Sequence, residues 1–575
     1  MRHSLIVLTL LYAGHRLDAA VPAEHDLVIY GGTPAGVTAA VQAARMGRSA
    51  ILIEPGRHVG GMTSGGLGAT DIGNKRAIGG IAREFYRRVR THYQDDAHWT
   101  HETRAGFRGR GHEEGEDTAW TFEPHAAEAI FNDLLREHNV PVVLGERLNL
   151  EDGVRKVGGR IVAIAMESGA SYRGKVFIDA TYEGDLMAEA GVAYHVGREA
   201  NATYGETLNG VQVKNAIYHQ FIKRVDPYVK PGDPASGLLP RVDPGPPGVD
   251  GEGDRRVQAY NFRLCATDLP ENRRPWPKPE HYDERQYELL LRNFEAGDHR
   301  RPWEFVRMPN RKTDSNNSNA FSTDNIGRND DYPDGDYATR ERIWREHVEY
   351  QKGLMWTLAN HPRVPEAIRR HFQTWGLARD EFTDSDNWPH QLYVREARRM
   401  VGDYVMTEQN CRGQRTVDDP VGLAAYTMDS HHTRRYVTDE GGVLNEGDVE
   451  VGGFPPYPIA YRAIVPRAGQ CTNLLVPVCL SASHISYGSI RMEPVFMVLG
   501  QSAGTAAVLA LEAGAAVQEV DYPKLRERLL RDRQVLNWTR SKRTSGRTEP
   551  TPGGSKASSR TTKPTDSGGS ILQER

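Results

Sequence analysis

The chain has 575 residues, too many for one hydrophobic core, and its 38% hydrophobic and 26% charged residues suit a globular protein of two or three domains. A formal net charge of −4, with both signs mixed along the chain, excludes a basic nucleic-acid binder and a polybasic membrane-surface protein. The four cysteines, Cys265, Cys411, Cys471 and Cys479, form no Cys-x-x-Cys pair and no Cys/His cluster of zinc spacing, so neither a redox dithiol nor a metal is expected. Buried thiols are expected instead, with a Cys471–Cys479 disulfide left open.

At the N-terminus, Arg2 and His3 precede an apolar run from Leu5 to Ala13, and small residues follow at Ala19, Ala20 and Ala23. This pattern predicts a secretory signal over residues 1–23 and an exported protein, periplasmic or extracellular. The run is too short for a permanent anchor, and no later apolar run approaches spanning length, so no integral membrane span is expected.

The next segment carries the strongest signal. Asp26 to Tyr30 reads as a buried strand, Gly31 to Gly36 as a glycine turn, Val37 to Met46 as an Ala-rich helix, and Ser49 to Ile53 as a second strand closed by Glu54. This is a dinucleotide-binding βαβ unit. Gly31 makes the turn, Gly32 lets backbone approach phosphate, Gly36 lets the helix pack close, and the helix start through Thr33, Pro34 and Ala35 faces the pyrophosphate. Glu54 accepts ribose hydroxyls. Thr33 stands where the usual pattern has its second glycine.

Further along come Gly60, Gly61, Met62 and Thr63, in a second glycine-rich loop reaching Gly68. Phe122 to Glu137 reads as an amphipathic helix with Pro124 in its first turn, Val140 to Leu144 as a strand, and Arg160 to Met166 and Ser171 to Ile178 as two more strands. The segment Asp179, Ala180, Thr181, Tyr182, Glu183, Gly184, Asp185 follows. Pro and Gly are dense from Pro227 to Gly253, which reads as a loop. Gln258 to Cys265 alternates like a strand, and Tyr337 to Leu358 and Pro365 to Trp375 read as helices. Asn473 to Val478 reads as a strand, Ser481 to Glu493 as a polar loop, and Pro494 opens a helix to about Glu512, slim at Gly500, Ser502 and Ala503.

These elements together resemble two-dinucleotide-binding-domain flavoproteins, in which an acidic residue precedes Gly-Gly by six positions, as Glu54 precedes Gly60-Gly61. The chain is similar to a bacterial FAD-dependent oxidoreductase family, itself distantly similar to the flavoprotein subunits of fumarate reductase and succinate dehydrogenase. The resemblance implies an α/β fold, a Rossmann-like FAD-binding domain of glutathione-reductase type with an inserted α+β substrate or cap domain. It implies FAD as cofactor, held by Gly31 to Gly36, Glu54, Gly60 to Thr63, Asp179, Ala180, Thr181 and Asp185, and by Gly500, Ser502 and Ala503 of the C-terminal helix. Tyr182 departs from the glycine usual at its position. The implied division is 1–23 signal, 24–190 FAD-binding domain, 191–400 substrate or cap domain, 401–538 return of the FAD-binding domain, and 539–575 a disordered tail poor in apolar residues.

Four polar clusters are candidates for the chemistry: Asn310 to Asn316, His390 to Glu396, Asp429 to His432, and the loop with His484, Tyr487 and Arg491. His484 or His432 is the expected base, and Arg395 and Arg491 the expected holders of an anionic group. The expected partners are a small polar substrate (a sugar, sugar acid or other hydroxy or carboxylic acid) and an electron acceptor that the sequence leaves unnamed. An electron-transfer flavoprotein without its own metabolite, or an exported carbohydrate-active or binding protein with a degenerate nucleotide fold, are the alternative functions.

Overall fold

Two apolar runs start the architecture. In a computed structural model, which describes residues 24–539, β1 (Glu24–Tyr30) and β2 (Ala50–Glu54) pair in parallel, with Leu27 opposite Ala50 and Tyr30 opposite Ile53. The predicted signal, and all of the predicted tail beyond its first residue, lie outside the described residues. The strands are covered on both faces, so they are continuously apolar rather than alternating. Helix α1 (Pro34–Arg45) joins them, with Pro34 at its first position, where proline's missing N–H costs nothing.

Helices α2 (Gly80–His92) and α3 (Pro124–Glu137) pack beside α1, and Phe85 stacks on Phe131 with ring centroids 4.3 Å apart. Strand β3 (Val142–Leu144) extends the sheet beyond β2. The hairpin of β4 (Val154–Val157) and β5 (Arg160–Ala165) leads into β6 (Ser171–Asp179), which lies parallel to β1 with Tyr30 opposite Asp179. The order is β3-β2-β1-β6-β5-β4. Because β1, β2 and β6 run the same way, Gly31, Glu54 and Ala180 gather at one edge. A Cβ on Gly31 (φ +106°) would lie 2.7 Å from the backbone of Ala180 and Thr181, so only glycine fits between the strand ends.

Residues 191–400 add a second, antiparallel sheet. Its strands are β7 (Ala266–Thr267), β8 (Arg273–Arg274), β9 (Trp303–Met308), β10 (Lys312–Asn317) and β11 (Gly376–Ala378), in the order β8-β11-β7-β10-β9. Helices α4 (Tyr337–Asn360) and α5 (Glu366–Thr374) follow the sequence expectation. Gln258–Cys265 does not: it is extended but makes a single bridge, Asn261 to Tyr393. Side chains take the place of a neighbouring strand there. The Gln351 amide binds both the N–H (2.8 Å) and the carbonyl (2.7 Å) of Phe262, and the Ser315 hydroxyl accepts from the Leu264 N–H at 2.7 Å. The Pro/Gly-rich stretch also differs from a plain loop, since Tyr228–Lys230 and Asp233–Leu238 pair as a hairpin.

Beyond residue 400, β12 (Met428–Ser430) pairs with β13 (Val449–Val451), and β14 (Leu474–Leu475) joins β6 in parallel, shorter than the predicted strand. The segment expected as a polar loop contains α6 (His484–Ile490), because the Ser483 hydroxyl accepts from the Ser486 N–H and caps it. Helix α7 (Glu493–Ala513) follows. By length and composition it could cross a membrane, which corrects the expectation that no later run approaches that size. Here it is a core helix, 89% buried over its most apolar stretch. It lies against α1 so closely that a Cβ on Gly500 would be 2.1 Å from the Ala35 carbonyl oxygen. All four cysteines are buried free thiols, and the described residues up to Trp538 form one compact unit.

One buried cation joins the two sheets' surroundings. Lys312 of β10 has no exposed side-chain surface, and its Nζ lies 2.7 Å from Glu123, 2.6 Å from Glu381 and 2.8 Å from Asp380. Glu123 immediately precedes α3, so the contact ties α3 to the inserted region. Lys312→Met strands buried carboxylates without a counter-charge and should cost about 3–5 kcal/mol of stability. Urea unfolding of variant and wild type checks this, and an unchanged midpoint would show that the cluster contributes nothing net.

Candidate active site

A cavity of about 350 Å³ lies at the edge where β1, β2 and β6 end, lined there by Gly31, Thr33, Glu54, Gly61, Thr181 and Tyr182. Ligands of parallel sheets bind at this edge. The Glu54 carboxylate accepts from the Gly32 and Gly56 N–H groups, each at 2.6 Å, and each oxygen keeps a lone pair for a ribose hydroxyl. Burial pushes this carboxyl up to about 7 against those two donors. The Gly36 position is closed to any side chain, since a Cβ there would sit 1.9 Å from the Gly31 carbonyl oxygen.

The two departures from the glycine pattern have physical reasons. Thr33 has φ −63°, which needs no glycine. Its hydroxyl donates to the Ala180 carbonyl at 2.7 Å and accepts from Gly36 N–H at 3.4 Å, capping α1. Tyr182 turns its hydroxyl onto the second glycine loop, where it accepts from the Met62 N–H (3.0 Å) and donates to the Glu493 carboxyl (2.9 Å). Thr63 donates to the same carboxyl at 3.3 Å. Glu493, at the first turn of α7, is pushed up to about 8 by burial despite those donors.

Other predicted cofactor residues play other parts. The Asp179 carboxylate accepts from the Thr181 N–H and hydroxyl and from the Met187 N–H, fixing the turn after β6. Asp185 lines the cavity but is bound by Arg340 (2.6 Å) and Arg398 (2.7 Å). Pro34 and Ala35 lie in the buried first turn of α1. Gly60 (φ +100°) makes the bend into the second glycine loop, a backbone conformation that suits glycine. Gly500, Ser502 and Ala503 are corrected: they sit in the body of α7, where Gly500 meets α1 and the Ser502 hydroxyl donates to the Val421 carbonyl at 2.6 Å. The end of α7 turned toward the glycine loop is Glu493.

The second glycine loop also touches a buried cluster of charges: Gly65 packs on the Gln391 side chain and Gly66 on the Arg263 carbonyl. At its centre is Tyr393, whose ring lies under the guanidinium groups of Arg395 (4.6 Å), Arg491 (5.8 Å) and Arg263 (6.0 Å). Arg491 donates to the Tyr393 hydroxyl (2.9 Å) and to Asp429 (2.8 Å), and Arg395 pairs with Asp324 at 3.0 Å. The His431 Nδ1 lies 2.8 Å from Asp324, and its Nε2 lies 3.7 Å from Asp429. Burial works to raise Asp324 and Asp429. Arg395 and His431 hold Asp324 down at about 2, and His431 and Arg491 hold Asp429 well below the usual range.

The two histidines predicted as bases are placed elsewhere. His484 is the first residue of α6, with Nδ1 2.7 Å from Glu396 and Nε2 2.9 Å from the Ser430 hydroxyl, so both nitrogens are engaged. His432 turns its Nε2 to the carbonyls of Tyr218 and His219, each at 3.2 Å, and burial pushes it down to about 3, leaving a neutral ring. Asp429 and His431 instead join the charged cluster, Asp429 pairing with Arg491 and His431 lying against Asp324, while Ser430 between them points to His484. Asp324, more than 100 residues away in the chain, had no motif to mark it.

Among the described residues, two groups of His and carboxylate side chains lie close enough for a metal, and neither suits one. Lys312 already stands among Glu123, His125 and Glu381. In the other, His219 Nδ1 accepts the Asn319 N–H (3.1 Å), which puts the neutral ring's proton on Nε2, the nitrogen facing Glu450 at 3.2 Å.

A family model described as FAD dependent oxidoreductase matches residues 26–529. No curated protein matches the chain. Among solved structures it is similar to the L-amino acid deaminase from Proteus vulgaris (14% identity, TM-score 0.23, covering 32% of this chain and 53% of that one). It is also similar to the L-amino acid deaminase from Proteus myxofaciens (18%, 0.20, 29% and 47%) and to the OxyS anhydrotetracycline hydroxylase from Streptomyces rimosus (11%, 0.21, 34% and 42%). The chain spans about half the length of these proteins, and overlaps with such TM-scores carry no argument. The described residues fit FAD on their own geometry: a carboxylate for the ribose at the end of β2, a helix start closed to side chains at Gly36, and a glycine loop leading on from the cavity.

Glu493 gives this site a pH signature. Its carboxyl, about 8 when folded against an ordinary value of 4.5, keeps its proton in the native chain while the unfolded chain loses it. Folding stability of the FAD-free protein should therefore fall as pH rises from about 4.5 to about 8. Glu493→Gln should flatten that slope in thermal melts taken across the interval; an identical slope in both proteins would place the titration elsewhere.

Proposed function

The chain belongs to the FAD dependent oxidoreductase family, and from that premise we propose that it oxidises or reduces a small polar hydroxy or carboxylic acid. The observation that carries the reading is the pair of buried arginines, Arg395 and Arg491, over Tyr393, beside a histidine held between two carboxylates. When bound, FAD supplies a hydride acceptor or donor at its N5. Gly31, Glu54, Gly61 and Thr181 hold it at the strand ends, in a fold of the glutathione-reductase type with residues 191–400 as the inserted substrate and cap region.

In this reading Arg395 and Arg491 hold the substrate carboxylate. The Nε of each is buried without a partner within the chain, so both guanidiniums have donors to give. His431 replaces His484 and His432 as the base. In its neutral form Nδ1–H donates to Asp324, which leaves the Nε2 lone pair to take a proton from the substrate hydroxyl as hydride leaves its carbon. Asp324 and Asp429 then flank the imidazolium. In the reductive direction the same nitrogen returns the proton. Tyr393, Arg395, Arg491, Asp324 and His431 are all buried, which would limit water at a substrate held there. Export, on the strength of the apolar run from Leu5 to Ala13, belongs to the same proposal.

The test is anaerobic reduction of the bound flavin by pooled hydroxy acids, sugar acids and sugars, followed by its visible absorption. His431→Asn should retain FAD and slow bleaching by about 10²–10⁴-fold, whereas His432→Asn should bleach at close to the wild-type rate. Arg395→Lys should raise the acid concentration needed for half-maximal rate. Full speed in His431→Asn would sink the assignment, and wild-type flavin reduced by a protein partner but by no metabolite would favour an electron-transfer role.

A further inference from the structure

The cavity at the strand ends has a second wall, and that wall comes from the inserted residues. Its outer side is lined by Tyr332, Tyr337, Arg340 and Trp344, which span the turn before α4 and the first turns of α4, and by His390. Each part is fastened to the nucleotide-binding half. The Tyr332 hydroxyl donates to Glu183 at 3.1 Å, the Tyr337 hydroxyl donates to the Leu148 carbonyl at 2.9 Å, and Arg340 grips Asp185 through two bonds of 2.6 and 2.8 Å. On the other flank, His58, between Glu54 and the second glycine loop, lies between Glu128 (3.0 Å) and Asp384 (3.1 Å), and its ring stacks on His390 with centroids 4.0 Å apart and planes 12° from parallel.

Glu54 stands on this same cavity, and an acidic residue at the end of the second strand of a dinucleotide fold receives the adenosine ribose. The wall therefore faces the adenosine half of the dinucleotide. Adenine is a flat aromatic ring with polar edges, and the wall offers an indole, two phenol rings and a stacked imidazole pair. A second cavity, of about 550 Å³, continues past Pro55, His58, Arg147 and His390, so the space extends outward beyond the ribose position.

We propose that Tyr337 and Trp344, with the His58–His390 stack, form the adenosine subsite of the FAD site, so that inserted residues enclose the cofactor's nucleotide end. This subsite is separate from the glycine motifs that the sequence marks, and it rests on the family's cofactor rather than on the proposed substrate. It makes FAD exchange depend on release of the 332–344 segment.

The experiment is equilibrium binding to the full-length chain stripped of flavin, with three probes: FAD, FMN (which lacks the adenosine half) and ADP as a competitor. Trp344→Ala and His390→Ala should weaken FAD about tenfold each, weaken ADP in parallel and leave FMN affinity unchanged. Trp344→Phe, which keeps a flat ring, should hold FAD close to the wild-type affinity, with circular dichroism confirming that each variant is folded. Unchanged FAD and ADP affinities in the alanine variants would overturn the proposal. Equal losses for FAD and FMN would also overturn it, since the damage would then not lie at the adenosine end. A wild-type chain that takes up no FAD would overturn it together with the cofactor assignment.

Discussion

A carboxylate cannot be buried alone, and Asp185 is buried at the turn that follows the central strand of the main sheet. Its counter-charges are Arg340 and Arg398, both contributed by residues beyond position 330. The turn after β6 therefore carries a buried charge that only residues of the inserted region neutralise. The same logic recurs where distant segments meet: Arg263 with Asp314, Arg198 with Glu446, and Lys312 with Glu123 and Glu381. Each pair is costly to break, because removing one partner leaves an uncompensated charge in the core. Such pairs say little about net stability, and much about which segments must come together.

The nucleotide-binding half was legible because it is built from local signals. Parallel strands covered on both faces are continuously apolar, their turns need glycine, and the connecting helix follows at once, so thirty residues announce the unit. The departures at Thr33 and Tyr182 were visible as departures, but their reasons were not. Thr33 caps a helix through a hydroxyl, and Tyr182 reaches residues more than 100 positions away on either side. The misread segments fail for the same cause. Gln258–Cys265 alternates like a strand, yet its backbone is satisfied by the Gln351 and Ser315 side chains, which no period in the sequence reveals. The segment around His484 is rich in serine and reads as a loop. Its hydroxyls find buried partners, Ser489 donating to the Tyr426 carbonyl at 2.6 Å, and that allows a helix to be interred.

The proposed chemistry was legible only in outline. The arginines and the Asp429–His432 segment were singled out as polar runs inside structured stretches. Which histidine joins the arginine cluster depends on folded contacts just past a strand only three residues long, where Ser430 turns to His484 while Asp429 and His431 turn to Arg491 and Asp324. The partner that fixes the tautomer of His431, Asp324, belongs to a different part of the chain, and its 2.8 Å contact exists only in the folded protein.

The two buried histidine networks differ in how fully their groups are paired. Around His484 the groups are paired: both ring nitrogens, with Glu396 and the Ser430 hydroxyl, and the Glu396 carboxylate with Arg399 and the Gln258 amide. A network with no spare donor or acceptor holds backbone in place and has nothing to offer a ligand. Around His431 the accounting is incomplete, since Arg395 Nε and Arg491 Nε are buried without hydrogen-bond partners. Groups left in that state need an explanation, and an anionic molecule lying against the arginines supplies one. Ser430 sits between the two networks, bonded to His484 through its side chain and flanked in sequence by Asp429 and His431. On the proposed reading His484 would act through the strand it anchors, with His431 as the proton acceptor.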